Sequence, residues 1–310
     1  MTGPKTCCFR YTRVVVAEPA YELIFAGKHY SLRFEAEDFN RGDGVVIVRA
    51  DGVGKDIDFR FLRWLEVYLG EDLTSPEQLP DTRFIATRGN LHLDGDRIQK
   101  FFRRCQRYPS KFAPLWKQQL LDHAMTYYSM GLSAGFRFMP VTLGLFGLSL
   151  ECIGNLHYGR RKEYFKLGDK RFLALLNARL ARYKRIDRHR EPVRRFDKIV
   201  RRDVDLLHLL RNAYYGHSTT HLTRDRRQLV QALRGWWRQG GMPTKHAELL
   251  FSPKNLDEGL VSEAPALFKV GVRTCRLFFS MLLGFSRPPA YATHDFRLLG
   301  NDPPGYEVSD

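Results

Sequence analysis

The hydrophobic period changes once along this chain, and that change constrains the fold more than any other feature. Before about residue 110 apolar and polar residues alternate. Tyr21-Glu22-Leu23-Ile24-Phe25-Ala26 and His29-Tyr30-Ser31-Leu32-Arg33-Phe34 flank Gly27-Lys28, and residues 45–50 run into Asp51-Gly52. Alternation on both sides of a turn predicts a hairpin, because successive strand side chains point to opposite faces. Asp51-Gly52 is a second turn signal. Residues 82–88 and 91–93 are further strand candidates, and residues 96–105 read as a short basic helix. From Pro114 onward the period is helical. It predicts helices over residues 115–131, 140–154, 169–187, 192–215, 223–239 and 262–285. Gly216 and Gly240-Gly241 serve as stops and Ser262 as an N-cap. Residues 242–259 read as a loop-rich connection. The fold class is therefore α+β: a small β-rich N-terminal domain over residues 1–110, an all-α helical bundle over 111–287, and an irregular tail over 288–310 that carries Pro288-Pro289 and Pro303-Pro304.

Hydrophobic residues make up 44% of the 310-residue chain, enough to exclude global disorder and to fill two cores. The formal charge of +16 favours a polyanionic partner, either nucleic acid or an anionic membrane surface. The charge is concentrated. Residues 157–203 carry 17 Lys and Arg against 6 Asp and Glu, which suggests a binding surface more strongly than the total does. The five cysteines (Cys7, Cys8, Cys105, Cys152 and Cys275) are odd in number, and the only close pair is adjacent. That suits neither a Cys-x-x-Cys metal site nor a disulfide framework, so reduced thiols in a cytoplasmic protein are expected. Residues 1–10 carry no apolar signal core. The apolar stretch 131–154 holds Arg137, Pro140 and Glu151. A helix over residues 140–154 would be about 22 Å long, short of the roughly 30 Å hydrocarbon core. It reads as a buried core helix, with no membrane partner.

The chemistry concentrates in Arg211-Asn212-Ala213-Tyr214-Tyr215-Gly216-His217. At 100° per residue Phe196, Val200, Val204, Leu207, Leu210 and Tyr214 form one apolar stripe. Arg211 and Asp203 fall inside that stripe, where an unpaired charge is costly. Arg211 and His217 would point about 120° apart on an unbroken helix. Gly216, as a residue just past the helix end, would let His217 fold back toward Arg211. A neutral histidine can take the proton of a ribose 2′-hydroxyl near neutral pH. An arginine can grip a phosphate through two parallel donors and stabilise its transition-state charge. Asn212 could orient either group. The structural alternative makes His217 a C-terminal cap and Arg211 the buried partner of Glu151 or Asp203.

This segment resembles the HEPN superfamily, and within it the Apea-like branch. The family signature is Arg, four to six residues, then His, often with Asn directly after the Arg. Arg211-Asn212 and His217 fit it with five residues between. Tyr127-Tyr128-Ser129-Met130-Gly131-Leu132 resembles the first family helix, and Leu148-Ser149-Leu150-Glu151 the end of the second. The resemblance covers about residues 115–285 and leaves the N-terminal domain outside. It implies a HEPN-like helical bundle and a metal-independent endoribonuclease without cofactor, of a kind found in toxin–antitoxin and anti-phage defence systems. It implies a homodimer with the motifs of two subunits on one cleft, and a cognate inhibitor or activator as a further partner. Arg211 would stabilise the phosphate, His217 would be general base or acid, and Asn212 would assist. Glu151 would hold Arg211, with Asp203, Tyr215 and Gly216 as supporting residues. Other family members have lost catalysis and bind RNA or a protein partner, which is the alternative function.

Other motifs are weaker. Gly52-Val53-Gly54-Lys55-Asp56 lacks phosphate-loop spacing and reads as a hairpin turn. His189, His208, His217 and His221 lie close in sequence, but Gly216 and Ser218-Thr219-Thr220 indicate a loop, so no metal site is expected. Trp236-Trp237-Arg238 and Phe101-Phe102-Arg103-Arg104 read as core aromatics with solvated arginines, with base stacking the alternative. Arg201, Arg202, Arg224, Arg226 and Arg227 flank the motif and are the first choices for contacts to RNA phosphates.

Overall fold

The computed structural model describes residues 6–11, 14–16, 19–38, 43–50, 57–70, 91–93, 95–108, 113–135, 138–158, 174, 192–216, 222–239 and 244–285. The chain divides into two compact units, residues 1–129 and 130–310. Among the described residues it is mostly helical, with a four-stranded antiparallel sheet near the N-terminus.

In the first unit, strands β1 (Thr6–Tyr11), β3 (Ala20–Phe25), β4 (Lys28–Asp38) and β5 (Asp43–Ala50) form the sheet in the order β1-β5-β4-β3. The hairpin predicted around Gly27 is present, one residue displaced. Phe25 pairs with Lys28, so the two-residue turn is Ala26-Gly27. Both residues have positive φ, 52° and 75°, as a type I′ turn requires. β2 (Val14–Val16) pairs in parallel with β6 (Leu91–Leu93). One face of the sheet presents Tyr21, Leu23, Phe25, Tyr30, Leu32, Phe34, Val46 and Val48, all buried.

Helices α1 (Phe59–Leu69) and α2 (Gly95–Arg107) supply the aromatic partners of that face. Phe61 stacks on Tyr30 at 4.0 Å and meets Phe25 at 5.8 Å, while Phe102 lies 4.8 Å from Phe61. The alternation in this region hid α1, a helix inside the segment read as β-rich. Its ends are nonetheless marked in the sequence. Asp58 accepts a 2.8 Å bond from the Arg60 amide as N-cap, and Gly70 closes the helix at φ 72°. Phe101 and Phe102 are buried, while Arg103 is exposed. Residues 51–56 and 71–90, which include the Gly52–Asp56 turn and the strand expected over residues 82–88, lie outside the described residues.

α3 (Leu115–Ala134) begins in the first unit and ends in the second. The second unit continues with α4 (Met139–Tyr158), α5 (Pro192–Arg211), a π-helical turn (Asn212–Gly216), α6 (Leu222–Gln239), α7 (Thr244–Leu250), α8 (Leu256–Ser262) and α9 (Ala264–Leu282). α4 packs against both α5 and α9. Its twenty residues span about 30 Å at 1.5 Å each, longer than expected. Length and composition would thus let Met139–His157 cross a bilayer, but 83% of that window is buried inside the protein. Leu143, Phe146, Leu150 and Ile153 are fully covered, each contributing about 1.5–3 kcal/mol at most. Pro140 sits in the first turn, where its missing N–H costs nothing.

Two further expectations are corrected. Residues 242–259 contain α7 and the first turn of α8, held close because Gly259 has no side chain to strike the Leu250 carbonyl. Ser262 ends α8 and does not cap α9, whose N-cap position is Glu263. Trp236 and Trp237 are buried, and Trp237 meets Phe251 edge-on at 5.8 Å. Arg238 is exposed and pairs with Glu248. Of the helix expected over residues 169–187 only Ala174, which is helical, is described, and the tail over 288–310 lies outside the described residues.

Candidate functional site

Three segments of the second unit assemble around Arg211. α4 brings Gly147 and Glu151, one turn apart on one face. The last turn of α5 brings His208 and Arg211, and the π-turn brings Asn212 and Tyr214. Single π-turns within helices are rare and recur at functional sites. This one replaces the simple glycine stop expected at Gly216.

Gly147 is what allows the approach. A Cβ there would stand 2.9 Å from the Arg211 Cβ and 3.1 Å from the Leu207 carbonyl oxygen. With hydrogen in that place, Arg211 lies across α4 and its Nη2 reaches Oε1 of Glu151 at 3.3 Å. Glu151 is buried and the Arg211 side chain is 14% exposed, so this pair is largely shielded from water. Of the two partners left open for Arg211, the structure selects Glu151. Arg211 Nη1 also donates to Asn212 Oδ1 at 3.0 Å. Nε is buried, and no described residue accepts from it. The guanidinium is thus aimed by two acceptors while it keeps unused donor capacity.

Asn212 passes the network on. Its Nδ2 lies 3.0 Å from Nε2 of His208, one turn earlier on α5. Arg211 offers only donors, so the amide oxygen must face Arg211 and the amide nitrogen must face His208. In the sequence His208 is one of four nearby histidines for which no metal site is expected, and its partnership with Asn212 is not foreseen. The i, i+4 spacing was the available signal.

Asp203 is fully buried but does not serve Arg211. It accepts from Arg273 Nε at 2.9 Å and from Arg273 Nη2, and pairs with Arg202 at 3.3 Å. This charged centre ties α5 to α9. Burial holds the Arg202 guanidinium below its ordinary value, and the neighbouring Asp203 carboxylate opposes that shift. Sequence pattern gave no pointer to Arg273, because 70 residues separate it from Asp203.

At the π-turn, Tyr214 donates to Asp257 Oδ1 at 2.6 Å, and Arg226 donates to Asp257 Oδ2 at 2.7 Å. Asp257 therefore joins the π-turn, α6 and α8. Burial, with the bond to Asp257, raises the Tyr214 phenol well above its usual range. Among the expected phosphate contacts Arg201 and Arg227 are exposed, whereas Arg202 and Arg226 are engaged by carboxylates. The backbones of Tyr215, Gly216 and Arg224 fall in the π-turn and α6. His217, His189 and His221, with the side chains of Tyr215 and Arg224, lie outside the described residues.

No family model, curated protein or solved structure matches this chain. Its chemistry therefore rests on its own geometry. Among the described residues no group of three or more His, Cys, Asp or Glu side chains has the arrangement to hold a metal. The buried thiols are not poised for chemistry either. Burial pushes Cys152 up to about 12, aided by the Glu151 charge, and Cys275 is raised by burial as well.

Proposed function

We propose that the helical unit is a HEPN-type domain and that the protein is an endoribonuclease cleaving RNA by transesterification. The observation that carries this reading is the state of Arg211. Glu151 and Asn212 aim its guanidinium, and its Nε has no acceptor among the described residues. The unused Nε leaves the guanidinium a donor that a phosphate oxygen could accept from. The π-turn, which lies between Arg211 and His217 in the chain, adds to the case, since such turns recur at functional sites.

In the proposed reaction His217 takes the proton of the ribose 2′-hydroxyl. The 2′-oxygen attacks phosphorus, the bond from phosphorus to the 5′-oxygen breaks, and the proton passes to the departing 5′-oxygen. The products are a 2′,3′-cyclic phosphate and a 5′-hydroxyl. Arg211 neutralises the charge that grows on the non-bridging oxygens. Arg201 and Arg227, both exposed, supply sequence-independent attraction for the backbone.

The test is cleavage of a mixed RNA pool in EDTA by wild type, Arg211→Ala and His217→Ala, each checked for folding by circular dichroism. Cleavage by the wild type alone, with cyclic-phosphate ends, supports the assignment. Salt-sensitive RNA binding without turnover by folded wild type would instead indicate the non-catalytic binding module.

A further inference from the structure

We infer that His208 is a positioning residue for Arg211, acting through the Asn212 amide. The inference deepens the reading of Arg211 as the phosphate-stabilising group and rests on it for its functional consequence.

The geometry forms a line of four side chains: Glu151, Arg211, Asn212 and His208. An asparagine amide can sit in either of two orientations of similar shape. Only one gives the Arg211 guanidinium an acceptor, and the other sets an NH2 group against it. His208 supports that orientation from the other side of the amide. Nε2 stands 3.0 Å from Nδ2, and an imidazole nitrogen bearing a lone pair accepts from the amide. Nε2 must therefore be the unprotonated nitrogen, and the neutral ring carries its proton on Nδ1. An imidazolium ring has no acceptor to offer. Its Nε2–H would face the amide N–H, and the amide could relieve this only by turning its NH2 toward Arg211. The tautomer of His208 thus fixes the polarity of Asn212, and Asn212 fixes one of the two bonds that aim Arg211. Glu151 supplies the other from α4. The role is distinct from that of His217, because Nε2 of His208 is occupied by the amide.

Two variants separate the acceptor from the bulk of the ring. His208→Gln keeps a carbonyl oxygen that can accept from Asn212, and His208→Leu fills space without an acceptor. The first readout is the imidazole nitrogen spectrum of the wild-type full chain at neutral pH. A lone-pair Nε2 with a protonated Nδ1 is expected, and the reverse tautomer or an imidazolium ring overturns the inference. The second is the order parameter of the Arg211 Nε–H bond. It should fall in His208→Leu and be kept in His208→Gln, and equal values in all three proteins overturn the inference. Neither readout needs catalysis, so a wild type that cleaves no RNA defeats the nuclease reading and leaves these two to decide the role of His208. Where the wild type cleaves, His208→Leu should lose about 10²-fold in kcat through misplacement of Arg211, with His208→Gln recovering most of it.

Discussion

Gly147 of α4 and Arg211 of α5 meet with no room for a side chain between them. A Cβ on Gly147 would lie 2.9 Å from the Arg211 Cβ, an atom fixed to the backbone that cannot swing aside. It would also press on the Leu207 carbonyl at 3.1 Å. Gly147→Ala must therefore move α4 or α5, and we expect a loss of about 1–3 kcal/mol in urea denaturation. The shift would carry Arg211 away from Glu151, so the proposed RNA cleavage should fall more than the lost stability explains. Full cleavage by a destabilised Gly147→Ala protein would show that the Glu151–Arg211 contact is dispensable.

Asp203 is the buried carboxylate between two guanidiniums, those of Arg273 and Arg202. Asp203→Asn keeps the shape and removes the charge that both cations need. Leaving buried charges unpaired costs about 3–5 kcal/mol, and that is the loss expected. Arg273→Met removes one cation while Asp203 keeps Arg202, so it should cost less. Denaturation midpoints in the reverse order would mean that Asp203 is not the centre of this network.

The sequence made some of these relationships readable and hid others. The hairpin was legible because alternation and a Gly turn are local signals, and its one-residue displacement reflects the positive φ that Ala26 shares with Gly27. Glu151 was legible as a partner of Arg211 because a lone carboxylate on an apolar helix needs a cation. Which carboxylate Arg211 takes was not legible, since that depends on how α4 and α9 lie against α5. Arg273 claims Asp203 and leaves Glu151 to Arg211. The π-turn was hidden because a fixed 100° period assumes an unbroken α-helix. α1 was hidden although Asp58 and Gly70 mark both its ends, because the neighbouring strands drew the whole region toward a β reading.

Glu151 is itself testable by charge. Glu151→Gln keeps an acceptor oxygen for Arg211 but lowers the strength of the bond, since hydrogen bonds to ionised groups are about twice as strong. Glu151→Ala strands Arg211 on a buried face. The proposed RNA cleavage should therefore decline in the order wild type, Glu151→Gln, Glu151→Ala. Both variants should retain activity above that of Arg211→Ala, because the guanidinium is still present. A Glu151→Gln protein as inactive as Arg211→Ala would give Glu151 a direct chemical role.

The Tyr214–Asp257 bond gives the π-turn a pH dependence of defined sign. The donated phenol bond holds the Asp257 carboxyl below its ordinary 3.8, burial opposes this, and Arg226 adds to the lowering. A depressed carboxylate contributes stability above its unfolded value and loses it as pH falls through its folded value. Tyr214→Phe should thus cost about 1 kcal/mol near neutral pH, a modest amount because Asp257 is 59% exposed. The difference should shrink once the pH drops below 3.8. A difference that stayed constant through that range would place the value of Tyr214 in its ring packing.

Glu263 has the opposite sign. It occupies the N-cap position of α9 without making a cap bond. Burial pushes its carboxyl from 4.5 up to about 7, with the Ser262 hydroxyl opposing. The folded protein therefore holds a proton that the unfolded chain has lost across that window. Stability from this group is fully present below 4.5 and is lost as pH rises through about 7. Glu263→Gln cannot ionise, so it should be the more stable protein above about 7, with the gap closing as the pH is lowered to 4.5. Urea midpoints of the two proteins across that window check it. Parallel curves would mean that Glu263 is ionised in the folded state throughout, with the α8–α9 junction open to water.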